Sequence, residues 1–186
     1  MKENFTLPSG FIIRSGRNSD AWQIKKVLSA FGKKEDNTGI ILMILLITII
    51  TTFTFNPAIA LYILGIILLF YFYESTFRNY SNYLVVENTN SQTLVACVEL
   101  RNYKNYSIIV NLCVLPEYRL RQLASCLMQE VIHQAKRPTY LVCLSELIPF
   151  YHRFDFVVIS PTQISWEIKA ELGLHRDLIL YTLVLL

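Results

Sequence analysis

The residues best suited to chemistry lie between Val114 and Ser125, where an apolar run ends, a polar loop follows and a helical pattern begins. The start of a helix presents backbone N–H groups without intrahelical partners and the positive end of the helix dipole, and both attract a phosphate or pyrophosphate. Arg119 and Arg121 add positive charge at this point. The segment therefore predicts an anion-binding loop. An ordinary strand-to-helix loop with solvated arginines is the alternative that these residues leave open.

The same segment resembles the acyl-CoA motif of the GCN5-related N-acetyltransferase (GNAT) superfamily, which runs Val-x-Pro-x-x-Arg-x-x-Gly-x-Gly/Ala. Four positions match in register: Val114, Pro116, Arg119 and Ala124. Residues 150–156, Phe-Tyr-His-Arg-Phe-Asp-Phe, are similar to the family's Phe-Tyr-x-x-x-Gly-Phe segment. Residues 12–21 resemble the family's first strand and helix. The likeness covers nearly all of the chain outside residues 39–73.

The resemblance implies an N-acetyltransferase that moves an acetyl group from acetyl-CoA, its cosubstrate, to an amine acceptor. It also implies a sheet that splays between strands predicted at Ser107–Val114 and Thr139–Leu144. Backbone groups at the end of the first strand would pair with the pantetheine arm, and amides at the helix start would hold the pyrophosphate. The implied cofactor-binding residues are Leu112, Cys113, Val114, Arg119, Leu120, Arg121, Gln122, Leu123, Ala124 and Ser125.

Tyr151 occupies the position that the resemblance assigns to the acid that protonates the departing sulfur. A phenol suits this role because the pKa values of a thiol and a phenol are comparable, about 8.5 and 10. A purely packing role for this ring is the alternative. For a general base, Glu99 and Glu146 are candidates and Asn111 could hold a water molecule, but the sequence favours none of them.

Two positions depart from the family pattern, and they motivate a second hypothesis. Gln122 and Asp155 stand where the two motifs have glycine, and glycine lets a backbone approach a pyrophosphate closely. The second hypothesis is a catalytically inactive GNAT-like protein that binds acyl-CoA or docks to a membrane. A third is an unrelated small membrane protein, which would leave the ordered motif matches unexplained.

The elements that must position these residues follow from apolar periodicity and turn signals. The predicted fold class is α/β: a GNAT-like mixed, splayed central sheet flanked by helices, with a hydrophobic helical hairpin inserted after the first helix. The predicted strands are Phe11–Arg14, Tyr83–Val86, Thr93–Leu100, Ser107–Val114, Thr139–Leu144, Phe156–Ile159 and Leu178–Leu185. The predicted helices are Asp20–Phe31, Arg119–Lys136 and Leu147–Arg153.

The insertion is an uncharged run from Gly39 to Tyr73, broken at Asn56-Pro57. A spanning helix needs about 17–25 apolar residues, so each arm is at or just below the lower limit. Two short transmembrane helices, a shallow re-entrant hairpin and a buried soluble hairpin are the three interpretations. Lysines before the run and Arg78 after it predict that both ends are cytosolic. We therefore expect an acetyltransferase-like domain formed by residues 1–37 and 74–186, facing the cytoplasm and anchored to a membrane through residues 39–73.

Composition limits the remaining possibilities. The chain has 186 residues, which suits one domain, and its net charge of +3, without a run of Lys and Arg, predicts no nucleic-acid partner. The four cysteines form no Cys-x-x-Cys pair, and the three histidines lack metal-ligand spacing. Free, buried thiols and no metal site are therefore expected.

Overall fold

The computed structural model describes residues 5–30, 58, 61–69, 80–173 and 181–186. Two compact units are present, one formed by Met1–Phe31 with Tyr80–Leu186 and the other by Gly32–Asn79. In the second unit, residues 61–69 are helical and carry exposed apolar side chains such as Leu61 and Leu69. The elements that could form a functional site all belong to the first unit.

A seven-stranded sheet forms the centre of the first unit, in the order β1-β2-β3-β4-β5-β7-β6. All neighbouring strands are antiparallel except β4 and β5, which are parallel. The strands are β1 (Phe11–Ser15), β2 (Tyr83–Asn88), β3 (Thr93–Asn102), β4 (Ser107–Val114), β5 (Thr139–Cys143), β6 (Val157–Ile159) and β7 (Tyr181–Leu185).

Helices cover both faces of the sheet. They are α1 (Ala21–Ser29), α2 (Leu123–Gln134), α3 (Ile148–His152) and α4 (Trp166–Glu171). On one face, α2 and α3 pack on a large core that includes Val98, Leu127 and Phe156. On the other face, α1 packs on the middle of the sheet through Ile24, and α4 packs beside it through Ile168. Because β3 is buried on both faces from Leu94 to Leu100, its apolar run lacks the alternation of a half-exposed strand.

The observed elements confirm the predicted mixed α/β fold and correct some of its boundaries. Helix α2 begins at Leu123, four residues later than predicted, because the backbone of Leu120 and Gln122 has positive φ and is not helical. Helix α4 was not predicted. All four cysteines are free, buried thiols, as expected.

The predicted membrane hairpin lies largely outside the described residues, which include only 58 and 61–69 of it. Among the residues that are described, no helix has both the length and the apolar character needed to cross a membrane.

Candidate functional site

A cleft opens where the two parallel strands separate. Strands β4 and β5 pair only at Ser107 with Thr139 and at Ile108 with Tyr140. From Ile109 onward, the edge of β4 that faces β5 therefore has no strand paired along it. A backbone edge of this kind can accept an extended ligand, because main-chain hydrogen bonds are available as they are at any sheet edge.

The cleft contains a cavity of about 510 Å³ on the side where α2 begins. Its lining is mainly apolar and joins the end of β4, the loop before α2, and α3. The lining residues are Leu112, Val114, Tyr118, Arg119, Leu120, Gln122, Leu123, Ala124, Ser125, Leu147, Phe150, Tyr151 and Arg153. A volume of this size is ordinary for a small-molecule or cofactor site.

The start of α2 supplies the polar end of this cavity. The first intrahelical bond runs from the Cys126 N–H to the Gln122 carbonyl at 3.0 Å, and no side chain caps the helix. Within the described part of the chain, the amides of Leu123 to Ser125 form no capping bond, and these residues line the cavity. Three open amides at a helix N-terminus are suited to a phosphate.

Both departures from the family's glycines keep the backbone conformation that glycine favours. Gln122 has φ 62° and Asp155 has φ 65°, both in the left-handed region. Non-glycine residues adopt this conformation at a cost of about 1–2 kcal/mol. The loop therefore retains its form with Gln122, and the added side chain is what differs from the family pattern.

Tyr151 lies deep in the cleft on α3. It is 7% exposed, and its hydroxyl forms no hydrogen bond within the described residues. Burial raises the pKa of this phenol well above its usual value, and the neighbouring thiols of Cys143 and Cys113 act in the same direction. The phenol is therefore protonated at neutral pH, as a proton donor must be, but its pKa lies further from that of a thiol than the sequence predicts.

A second cavity of about 250 Å³ lies on the β5 side of the cleft. Its lining residues are Ile109, Val110, Asn111, Leu112, Val142, Cys143, Leu144, Leu147 and Tyr151. Because Leu112, Leu147 and Tyr151 line both cavities, Tyr151 stands where the two cavities meet.

A buried carboxylate reaches this second cavity through Asn111. Glu99 accepts hydrogen bonds from Tyr83 Oη at 2.8 Å, Arg101 Nε at 2.7 Å and Asn111 Nδ2 at 2.7 Å. Burial by itself raises the pKa of Glu99, but these bonds and the charge of Arg101 outweigh it and hold the pKa below its usual range. Glu99 is therefore ionised at neutral pH.

Eight of the ten residues predicted to bind the cofactor line the first cavity. Cys113 and Arg121 do not line it. The Cys113 side chain turns to the opposite face of the sheet and packs near α1, and the Arg121 guanidinium lies 5.3 Å from the centre of the Tyr118 ring. Glu146 is exposed and lines neither cavity.

Four lining residues were not predicted: Tyr118, Leu147, Phe150 and Arg153. Phe150 and Arg153 lie in the second motif, so their proximity to Tyr151 was a usable signal. Tyr118 and Leu147 belong to short 3-10 turns, Pro116–Tyr118 and Ser145–Leu147, and such turns carry little sequence signal.

Residues 79–158 match the family model of the acetyltransferase (GNAT) domain. No curated protein matches the sequence significantly. Among solved structures, Rv2747 from Mycobacterium tuberculosis, in complex with CoA, is 14% identical and has a TM-score of 0.59, with 94% of this chain and 98% of that chain covered. A GNAT-family acetyltransferase from Staphylococcus aureus is 15% identical with a TM-score of 0.55, at 94% and 97% coverage.

N-acetylglutamate synthase from Neisseria gonorrhoeae, in complex with coenzyme A and N-acetyl-glutamate, is 13% identical with a TM-score of 0.59. The alignment covers 98% of this chain but 35% of that chain, and a Pyrococcus horikoshii chain of the same fold is covered to 46%. The present chain thus spans less than half the length of these two. At such identities the structures show a shared fold. Residues 79–158 are therefore similar to a GNAT acetyltransferase domain, and the chain shares the fold of these solved structures.

Proposed function

We propose that this protein transfers the acetyl group of acetyl-CoA to an amine acceptor in the cleft between β4 and β5. One observation carries the proposal: the unpaired edge of β4 and the uncapped amides of α2 open into the same cavity. An extended amide-containing arm that ends in a pyrophosphate fits this combination, because one part of the site offers strand-like pairing and the other offers anion binding.

In the proposed reaction, the amine nitrogen attacks the thioester carbonyl carbon and forms the new C–N bond. The C–S bond then breaks, and the sulfur leaves as a thiolate that takes a proton from the Tyr151 hydroxyl. The amine loses one proton to solvent, and solvent returns a proton to Tyr151. The position of Tyr151 between the two cavities supports this role, since sulfur on one side and amine on the other would meet beside it.

The experiment is a thiol-release assay with full-length, detergent-purified protein and acetyl-CoA. Primary alkylamines, polyamines, amino acids and arylamines are tested as acceptors, and mass spectrometry confirms the acetylated product. We expect acceptor-dependent thiol release and calorimetric binding of acetyl-CoA. A protein that does not bind acetyl-CoA would contradict the proposal.

The alternative is a GNAT-like protein that binds acyl-CoA without catalysis. The side chains of Gln122 and Asp155 at the two glycine positions favour it. The left-handed backbone at Gln122 preserves the loop that would hold the pyrophosphate, so it supports acyl-CoA binding under both hypotheses. Acetyl-CoA binding without turnover on any amine would support this alternative.

We further propose that residues 39–73 attach the protein to a membrane, with the cleft on the cytoplasmic side. The absence of charged side chains from this run supports the proposal, as do the exposed apolar side chains on residues 61–69, among them Leu61, Leu68 and Leu69. Retention of the full chain in the membrane pellet after alkaline carbonate extraction is the expected result, and complete release would contradict the proposal.

A further inference from the structure

Asn111 interrupts β4 beside the cleft. Its φ is 58°, a left-handed conformation, and together with Leu112 it lies opposite Val98 of β3, so that the strand pairing shifts by one residue. A bulge of this kind turns a side chain away from its regular direction and is frequent next to functional sites. Here it brings an exposed Asn111 side chain to the wall of the second cavity.

The direction of the Asn111 amide is fixed by Glu99. Its Nδ2 donates to Glu99 Oε2 at 2.7 Å and lies 3.4 Å from Tyr83 Oη. A carboxylate can only accept hydrogen bonds, so it selects the NH₂ end of the amide. The carbonyl oxygen Oδ1 is consequently turned away from Glu99, and no described residue donates a hydrogen bond to it.

The network behind Asn111 carries a net negative charge. Arg101 donates to Glu99 Oε1 at 2.7 Å and contacts Glu171 at 3.2 Å. Arg101 offsets one of these two carboxylates, so the remaining negative charge is shared between buried Glu99 and the more exposed Glu171. Glu99 is 8% exposed, and the field of a buried charge is screened less by solvent than that of a surface charge.

We propose that Asn111 is a specificity-determining residue for the acceptor and that its side-chain carbonyl accepts a hydrogen bond from a cationic amine. Glu99 is the positioning residue: it orients the Asn111 amide and contributes negative charge behind it. The inference rests on the proposed function, because it concerns the acceptor side of the same cleft. The inferred substrate class is an alkylammonium group, because its N–H donors match the Asn111 carbonyl and its positive charge matches the carboxylates behind Asn111.

Glu99 does not serve as the base in this arrangement. Both of its oxygens already accept hydrogen bonds, and a carboxylate held by three donors binds a proton weakly. The bound ammonium therefore loses its proton to solvent before the nitrogen attacks. Tyr83 completes the positioning by holding the same Glu99 oxygen as Asn111 does.

The first test replaces the amide. Asn111→Gly removes the carbonyl oxygen and keeps the left-handed backbone, which glycine adopts without cost. We expect the KM of the best primary alkylamine from the acceptor panel to rise about 10- to 100-fold, the usual effect of removing a hydrogen bond to a charged group, while the Kd of acetyl-CoA stays within twofold. Asn105→Gly, the same change in an exposed turn, is the control and should leave both values unchanged.

The second test removes the charge. Glu99→Gln should lower the preference for the alkylamine over aniline, which is neutral at neutral pH, by about 10-fold or more in kcat/KM. If Glu99 had a purely structural role, the substitution would lower kcat/KM for the alkylamine and for aniline by the same factor. Thermal melting of both variants with bound acetyl-CoA establishes that they are folded.

The outcomes separate the two proposals. If the wild type binds acetyl-CoA and acetylates the alkylamine, but Asn111→Gly leaves the acceptor KM unchanged, the inference is overturned and the proposed function stands. An unchanged alkylamine-to-aniline ratio in Glu99→Gln also overturns the role given to Glu99. If the wild type fails to bind acetyl-CoA, the proposed function falls, and this inference falls with it.

Discussion

Replacement of Tyr151 by phenylalanine should slow the chemical step and leave the fold and acetyl-CoA affinity largely intact. The ring keeps its packing, and the lost hydroxyl forms no hydrogen bond within the described residues, so the free energy of unfolding should change by less than about 1 kcal/mol. General acid catalysis contributes about 10²–10⁴-fold, which corresponds to about 3–5 kcal/mol of transition-state stabilisation. The expected loss of turnover is therefore much larger than the expected loss of stability, so the two can be measured separately.

The assay is single-turnover acetylation of a good acceptor, with calorimetric titration of acetyl-CoA alongside. Tyr140→Phe removes a hydroxyl from the far face of β5 and is the matched control. Burial raises the pKa of Tyr151, so the active, protonated phenol is lost only as pH rises above the usual phenol value of about 10. Wild-type turnover should therefore show no loss from this group between neutral pH and about 10. Normal single-turnover rates for Tyr151→Phe would refute the assignment and leave the ring a packing role.

Three further results are expected. Gln122→Gly removes a non-glycine residue from a left-handed position and should stabilise the fold by up to about 1 kcal/mol and tighten acetyl-CoA binding; weaker calorimetric binding by a folded variant would show that the Gln122 side chain contacts the cosubstrate. Hydrogen bonds from Arg14 hold the pKa of Asp20 in the folded protein below its usual value. Ionised Asp20 therefore stabilises the fold fully above about pH 4, and this stabilisation is lost as the pH falls through the pKa that Asp20 has in the folded protein. The midpoint of urea unfolding should fall at low pH in the wild type, and it should depend less on pH in Asp20→Asn. An unchanged pH dependence in Asp20→Asn would contradict the role of the Arg14–Asp20 pair. Replacing Thr38–Tyr73 with a short polar linker should release a folded, acetyl-CoA-binding protein from membranes, and a variant still retained after carbonate washing would show that another segment anchors the chain.

The sheet was largely predictable because its strands are apolar runs bounded by turn residues. Ser107–Val114 was predicted with its observed bounds, and the others differ by a few residues at their ends. Helix α4 was missed although it carried a signal: Ser165 accepts a hydrogen bond from the Ile168 N–H as an N-cap, and Ile164, Ile168 and Leu172 recur at helical spacing. Its six residues gave too short a pattern to stand out from the surrounding polar segment.

The proposed anion-binding loop before α2 was predictable from the sequence, and the proposed acceptor contact at Asn111 was not. Local sequence defines the loop before α2, because the motif residues are adjacent and their spacing is fixed. The contact between Glu99 and Asn111 depends on the register of two strands and on a bulge that shifts it. The left-handed backbone of Leu120 leaves no trace in residue type, and a single Asn111 is too common a residue to indicate the register shift.

The short pairing between β4 and β5 has a consequence for how the protein opens. Two residue pairs join the half-sheet β1–β4 to the half-sheet β5–β7, so each half can behave as its own cooperative unit in native-state hydrogen exchange. A pantetheine arm lying along β4 would act as a surrogate strand across the gap. Acetyl-CoA at 100 times its Kd would add about 2.7 kcal/mol to the folded state. Those amides between Ile109 and Val114 that point toward β5 should then gain the largest protection, because the cosubstrate supplies the strand that the chain itself leaves out.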